Sequence, residues 1–377
     1  MREYLLVLLI AAATTFAVSG LARRVALRTG AVAQVRARDV HTVAMPYFGG
    51  VAMLAGVAAA FVVAWHLPFL SKQAPLLQDS RAVLVAAVVI CLVGVLDDLF
   101  DLNALAKFAG QILAAGIAVL MGVKMFWIPL PNGVIALDNS ASIAITVFFI
   151  VLCSNAVNFI DGLDGLATGV VGIGAAAFFA YSYVLYYQQD LVRATTSGLI
   201  MVAIVGACLG FLPHNFWPAR MFMGDSGALL LGLLLATSSI SLTGQFDTSQ
   251  LENNGGGLIP AYLPLLLPLA ILALPFLDVL LAYVRRTYAG KWWFVADKQH
   301  LHHRLLERGH SQRRAVLLMY VWSALVSFAV IALGLVRNWQ VFVAIAVVAL
   351  LLSFLTLGRP LKRAPATPKA GASNPPT

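Results

Sequence analysis

Between Tyr4 and Leu357 the chain repeats one pattern: an apolar run of fifteen to twenty-seven residues, a short polar interruption, then another apolar run. An α-helix needs roughly 20 such residues to cross a hydrocarbon core. The pattern predicts eleven spans, at 4–21, 47–66, 82–96, 104–123, 141–157, 165–185, 196–212, 226–243, 258–284, 315–336 and 339–357. With 61% of its 377 residues hydrophobic and 11% charged, the chain has more apolar surface than a soluble core could bury. A transmembrane barrel would instead alternate over segments of about ten residues. The expected fold class is therefore all-α, a polytopic membrane protein of about eleven helices. Residues 1–358 read as one integral membrane domain, and 359–377, polar and Pro-rich, as a disordered cytosolic tail.

The first run has no basic front end and no small-residue cleavage site, and it leads into Arg23 and Arg24, so it reads as a retained span. Cys91, Cys153 and Cys208 fall singly in three different spans, where they read as small buried hydrophobes rather than a disulfide or metal framework. Orientation follows from the basic residues. If the amino terminus lies outside, 19 of the 25 Lys and Arg fall on inward segments and 6 on outward ones, so the expected topology is amino terminus out and carboxyl terminus in. The net charge of +9 is then mostly a topology signal, and no nucleic-acid partner is needed to explain it.

The same parity carries every chemically rich segment to the cytosolic side. DDLFD follows span 3, NAVNFIDGLDG span 5, PARMFMGDSG span 7 and DKQHLHHRLLERGHSQRR span 9, whereas the outward loops, such as SKQAPLLQDS, are sparse. Span 3, read as 82–96, is about 22 Å long against a core of about 30 Å, which would draw Asp97, Asp98 and Asp101 toward the interface. On a helix those three aspartates share a face and repel unless a divalent cation, Lys107 or a proton intervenes. Asn155, Asn158, Asp161 and Asp164 recur every three residues, a spacing that lets neighbours address one ligand. Asp225 and Ser226 open span 8, where capping the helix competes with a chemical role. His300, His302, His303 and Arg304 supply donors suited to phosphate. His–x–His could suggest Zn²⁺, but the many carboxylates and the lack of a Cys partner favour a hard, oxygen-seeking ion. Carboxylates, amides, a lysine and a His/Arg loop at a membrane surface imply a diphosphate substrate with Mg²⁺. No GxxxxGK[ST] loop is present to cradle a nucleotide.

DDLFDL with LAKFAGQ, NAVNFIDGLDGLATG, FMGDSGALLLG and HLHHRLLERGHSQRRAV, together with HTVAMPYFGG in the first cytosolic loop, resemble in order the motifs of the polyprenyl-phosphate N-acetylhexosamine-1-phosphate transferases, the MraY/WecA superfamily. The likeness spans about residues 20–320. It implies ten or eleven helices around a cytosolic cleft in the bacterial plasma (inner) membrane. It also implies transfer of a sugar 1-phosphate from a UDP-N-acetylhexosamine to a polyprenyl phosphate, with release of UMP. By motif position, the resemblance implies Asp225 and Asn158 as Mg²⁺ ligands, with Mn²⁺ able to substitute. It implies Asp97, Asp98 and Asp161 as catalytic carboxylates, the first two near the lipid phosphate, and Asp161 with Asp164 shaping the nucleotide pocket. Lys107 would contact the pyrophosphate, Asn155 would belong to the substrate site, and His300, His302, His303 and Arg304 would line the sugar-diphosphate side. Which aspartate acts as base, and whether transfer is direct or covalent, stays open, as does a homodimer.

HLHHR, with Leu301 between the histidines, resembles the branch that uses UDP-N-acetylglucosamine; the branch using UDP-N-acetylmuramoyl-pentapeptide is the alternative. A different class is a secondary transporter of anions, for which Asp278 and the prolines of span 9 (Pro260, Pro264, Pro268 and Pro275) are the relevant features.

Overall fold

The computed structural model describes residues 1–33, 45–130, 133–244, 263–270, 311–335 and 339–357. Among the described residues the helices are α1 (Arg2–Thr29), α2 (Gly49–Ala64), α3 (Ala74–Phe100), α4 (Ala104–Leu120), α5 (Asn139–Ile160), α6 (Leu166–Gln189), α7 (Arg193–Asn215), α8 (Gly224–Ser239), α9 (Gln312–Leu335) and α10 (Trp339–Leu357). A helical stretch at 263–270 lies within the predicted ninth span, and a π-helical turn, Ile240–Gly244, continues α8. Two small antiparallel ladders interrupt the helices: β1 (Val32–Ala33) with β2 (Met45–Pro46), and the hairpin β3 (Trp127–Leu130) with β4 (Gly133–Ala136).

Seven helices, α1, α3, α5, α6, α7, α9 and α8 together with its π-helical continuation, are long and apolar enough to cross a membrane; α2, α4 and part of α10 are shorter apolar helices. The distribution of side chains is that of a lipid-facing bundle. Leu105, Leu113, Leu120, Phe148, Phe159 and Phe354 are exposed on the outside, while Thr15, Ser19, Ser154, Ser182, Ser197 and Ser238 are buried inside. Water offers no reason to turn such large apolar groups outward. The protein is an all-α polytopic membrane protein.

Helix packing in lipid relies on close backbone approach at small residues, and α8 is built around it. Its residues from Ser226 to Ser239 are all buried. A Cβ on Gly94 of α3 would strike the Ser226 backbone, one on Gly50 of α2 would strike the Ser226 and Gly227 backbone, and one on Gly232 would strike Ser154 of α5. Three neighbours therefore close on α8 through glycine contacts, and α8 becomes the axis of the bundle.

Span 3 departs from expectation. It is not a fifteen-residue segment but a helix of 27 residues, about 40 Å at 1.5 Å per residue. Helix α3 opens eight residues before the apolar run, with Pro75 in its first turn, where the missing N–H costs nothing. The aspartates are therefore not drawn inward by a short helix: Asp97 and Asp98 lie in the last turn of a long one, and Asp101 follows as its left-handed C-cap (φ 52°).

The helix ends sort into two groups. The carboxyl ends of α1, α3, α5 and α7 and the amino ends of α4, α6 and α8 meet at one pole, joined by contacts such as Arg23 Nε to Arg220 O (3.1 Å) and Asp225 N to Asp98 Oδ1 (2.8 Å). At the other pole Glu3 accepts from the Phe69 and Leu70 amides (2.8 and 2.9 Å), and Lys124 donates to Asn139 (2.9 Å). The motifs DDLFD, NFIDGLDG and FMGDSG share the first pole. The predicted eleventh span coincides with α10. The tail 359–377, residues 245–262 and most of span 9, including Asp278, lie outside the described residues.

Candidate active site at the carboxylate pole

Local sequence sets the first half of the site. Asn103 caps α4 by accepting from the Ala106 amide (2.8 Å), so α3 and α4 are antiparallel neighbours joined by three residues. That turn brings the first turn of α4 against the last turn of α3. Lys107 Nζ lies 3.0 Å from Asp97 Oδ2 and also contacts Asp225 Oδ2 across the bundle. An ammonium thus stands between two carboxylates and cancels part of the repulsion expected among like charges. The side chains of Asp97, Lys107 and Asp225 keep 13, 19 and 27% exposure, enough for a ligand to reach the row from one side.

The second half is the start of α8. Its N-cap position, Met223, offers no side-chain acceptor. The acceptor comes from α3: Asp98 takes the Asp225 amide on Oδ1 (2.8 Å) and the Ser226 amide on Oδ2 (3.2 Å). A carboxylate at a helix amino terminus satisfies orphan donors and complements the helix dipole. Gly224, at φ +70°, leaves room for it, since a Cβ there would press on the Asp98 carboxylate. The side chain of Asp225 therefore caps nothing. Its Oδ1 accepts from Asn158 Nδ2 (2.7 Å) and its Oδ2 meets Lys107.

Helix α5 supplies the amides. Asn155 and Asn158, three residues apart, share a face. Asn155 is paired with the buried Gln111 of α4 through reciprocal bonds of 2.6 and 3.3 Å, and it also donates to Val151 O (2.8 Å). Asn158, one turn nearer the pole, reaches Asp225 instead. Beyond α5, Asp161 is pushed up to about 8 from an ordinary 3.8, first by burial and then by the negative charges of Asp225, Asp98 and Asp164. Asp164, buried, accepts from the Ala219 amide (3.0 Å) and so fastens the loop between α7 and α8.

Two further residues, Asn215 and Tyr320, organise this pole without belonging to any polar motif read from the sequence, and Arg313, at the end of the His/Arg motif, joins them. Asn215 accepts from Gly165 N (3.1 Å) and Thr168 Oγ1 (2.7 Å) and donates to Met221 O (3.1 Å), tying α6 to the α7–α8 loop. Tyr320 of α9 donates to Gly165 O, and Arg313 donates to Trp217 O (3.2 and 3.3 Å). Asn215 and Tyr320 carry no signal in a single sequence, because each looks like an ordinary polar residue of an apolar helix. Met45 and Pro46 bring the MPYFGG end of the HTVAMPYFGG motif to the same place, with Phe222 N donating to Pro46 O (3.0 Å) and Gly50 N to Met223 O (3.1 Å). His300, His302, His303 and Arg304 lie outside the described residues.

A helical membrane bundle with three carboxylates, an ammonium and amides gathered at one pole is the frame of a membrane enzyme that handles charged substrates at the bilayer face. Residues 80–243 match the model of glycosyl transferase family 4. The chain belongs to that family. It is 45% identical over 340 residues, covering 87% of this chain and 82% of the relative, to the decaprenyl-phosphate N-acetylglucosaminephosphotransferase of Mycobacterium tuberculosis (strain ATCC 25618 / H37Rv). It is 32% identical over 352 residues (91% and 88%) to the probable undecaprenyl-phosphate N-acetylglucosaminyl 1-phosphate transferase of Bacillus subtilis (strain 168). With the undecaprenyl-phosphate alpha-N-acetylglucosaminyl 1-phosphate transferase of Escherichia coli (strain K12) it shares 27% over 355 residues (91% and 87%).

Proposed function

We propose that this protein transfers N-acetylglucosamine 1-phosphate from UDP-N-acetylglucosamine to a polyprenyl phosphate, releasing UMP and leaving a polyprenyl-diphosphate sugar. The observation that carries the reading is the row Asp97–Lys107–Asp225, an ammonium held between carboxylates at the membrane face. The names of the relatives support the substrate pair. Exposed Phe100, Leu105 and Phe108 flank the row and suit a long apolar chain whose phosphate must reach Asp97.

The donor set fits Mg²⁺. That ion is commonly held by one or two carboxylates, with substrate phosphates and water completing its shell, and two carboxylates and an amide converge here without a closed cage: no cluster of three or more His, Cys, Asp or Glu is arranged around one point among the described residues. Asp225 and Asn158 would hold it. As placed, the Asn158 amide nitrogen meets Asp225, and a half-turn of the amide presents its oxygen instead. The ion, when bound, neutralises charge on the diphosphate oxygens. Mn²⁺ substitutes in this reading.

The residues then divide the task. An acceptor phosphate oxygen attacks the β-phosphorus of the UDP-sugar, the bond from that phosphorus to the bridging oxygen breaks, and UMP leaves with the bridging oxygen. Alignment and charge neutralisation are most of the catalytic requirement. In this reading Lys107 passes from its carboxylate partners to the diphosphate, and Asp97 meets the acceptor phosphate. An acceptor monoester with a second pKa of about 6 is largely ionised at neutral pH, so a strong base is not required. Asp161, its carboxyl pushed up to about 8, would offer a hydrogen bond to a phosphate or ribose oxygen when it carries its proton. Asp164 and Asn155 support the pocket wall through the α7–α8 loop and Gln111.

The same reading gives eleven spans, an outside amino terminus, a cytosolic site and a bacterial inner membrane. Transport is the weaker alternative, because it calls for polar groups near the bilayer midplane and the described carboxylate row lies at helix ends. A donor competition tests the sugar. With polyprenyl phosphate supplied, UDP-N-acetylglucosamine should support UMP release and UDP-N-acetylmuramoyl-pentapeptide should not; the reverse would move the protein to the muramoyl branch.

A further inference from the structure

Asp97 and Asp98 are adjacent in sequence and chemically identical, yet they face different partners. Asp97 points to the ammonium of Lys107, on the side a ligand can reach. Asp98 spends both carboxylate oxygens on backbone donors, the Asp225 and Ser226 amides, at the first turn of α8. Helix α8 has no acceptor of its own at that position, and Gly224 is the residue whose missing Cβ lets the Asp98 carboxylate in. The contact joins residues 127 and 128 positions apart, and α3 and α8 are already pressed together at Gly94.

We infer that Asp98 is a positioning residue: its carboxylate pins the amino terminus of α8 and so fixes where Asp225 presents its oxygens, while Asp97 alone of the pair meets substrate. The inference rests on the reading of Asp225 as a cation ligand. Its physical basis is the precision that such a ligand needs. A ligand at the first turn of a helix is only as well placed as that turn, and loss of a supporting contact typically costs 10- to 100-fold in metal affinity.

The test uses the purified full chain in detergent and two variants that disturb the contact from opposite sides. Asp98→Asn keeps one acceptor oxygen and loses the charge; Gly224→Ala leaves Asp98 intact and crowds its carboxylate. Mn²⁺ binding is measured without substrates, by the loss of the free-ion electron paramagnetic resonance signal, and UMP release is measured against Mg²⁺ concentration. Both variants should bind Mn²⁺ about 10- to 100-fold more weakly, and their turnover should climb back toward the wild-type value as Mg²⁺ is raised. If Asp98 is instead the proton acceptor, Asp98→Asn binds Mn²⁺ as the wild type does and stays inactive at every Mg²⁺ concentration; that result overturns the inference. A lower melting temperature with unchanged Mn²⁺ affinity, in whichever variant folds, makes the contact merely structural and overturns it too. Failure of the parent reading looks different, since the wild-type protein itself would then bind no Mn²⁺.

Discussion

The Asp225 carboxylate is engaged by Lys107 and Asn158, and the backbone of its own first turn is served by Asp98, so a change at Asp225 reads chemistry rather than helix capping. Were it a cap, Asp225→Asn would be nearly silent, because Asn caps about as well as Asp. The expected outcome is a fall in turnover of about 100-fold or more, comparable to removing a principal charge-stabilising group, in a protein that still melts near the wild-type temperature. UMP release beside a thermal melt checks it, and a wild-type rate would return Asp225 to a structural role. Asp161 makes a prediction of another kind. Its folded value of about 8 lies above the ordinary 3.8, so its contribution to stability is full below about pH 4 and is lost as pH rises toward 8, where the folded chain too gives up the proton. Asp161→Asn does not titrate, and its melting temperature should decline less than that of the wild type between about pH 5 and pH 8. Equal slopes would show that Asp161 is not held protonated by its burial. The polar residues that crowd this pole were visible in the sequence as motifs. What each one touches was not: the partner of Asp98 is more than a hundred residues away, and Asn155 finds Gln111, a residue no charge pattern singles out.

At the scale of elements, glycine placement decides how closely α2, α3 and α5 approach α8. A methyl group at Gly94 or Gly232 meets backbone that has no room to yield, whereas one at Gly116 of α4 meets nothing within 4 Å. Gly94→Ala and Gly232→Ala should each cost about 1–3 kcal/mol, read as a lower melting temperature in detergent. Gly116→Ala should be neutral or slightly stabilising, because Ala is the better helix former. Equal effects at all three sites would mean that close approach to α8 does not hold the bundle. The elements themselves were largely legible, since apolar runs with polar breaks translate directly into helices in a membrane protein. The exceptions have causes. Gln78, Asp79 and Arg81 mask the first turns of α3 from hydropathy, so the helix begins well before its apolar run. The hairpin β3–β4 lies wholly within what reads as a loop between the fourth and fifth spans, although aromatic and β-branched residues and Gly133 were there to signal it.

For the whole molecule, the gathering of three polar motifs at one pole is what the parity of the apolar runs anticipated, and the proposed placement of that pole in the cytosol rests on the 19 to 6 split of basic residues. A reporter fused after residue 377 should read cytosolic, and a cysteine placed at Asn253 should be labelled from outside the cell. A cytosolic Asn253 would break the eleven-span arrangement. The central claim, however, is a reaction that needs a soluble nucleotide sugar and a lipid acceptor at the same pole. Its most direct measurement is UMP release by the purified protein given UDP-N-acetylglucosamine, Mg²⁺ and polyprenyl phosphate. The predicted result is release that requires the polyprenyl phosphate, stops with EDTA, and returns with Mg²⁺ or Mn²⁺ but not Zn²⁺; release that proceeds without the lipid acceptor, or none when every component is present, would contradict it.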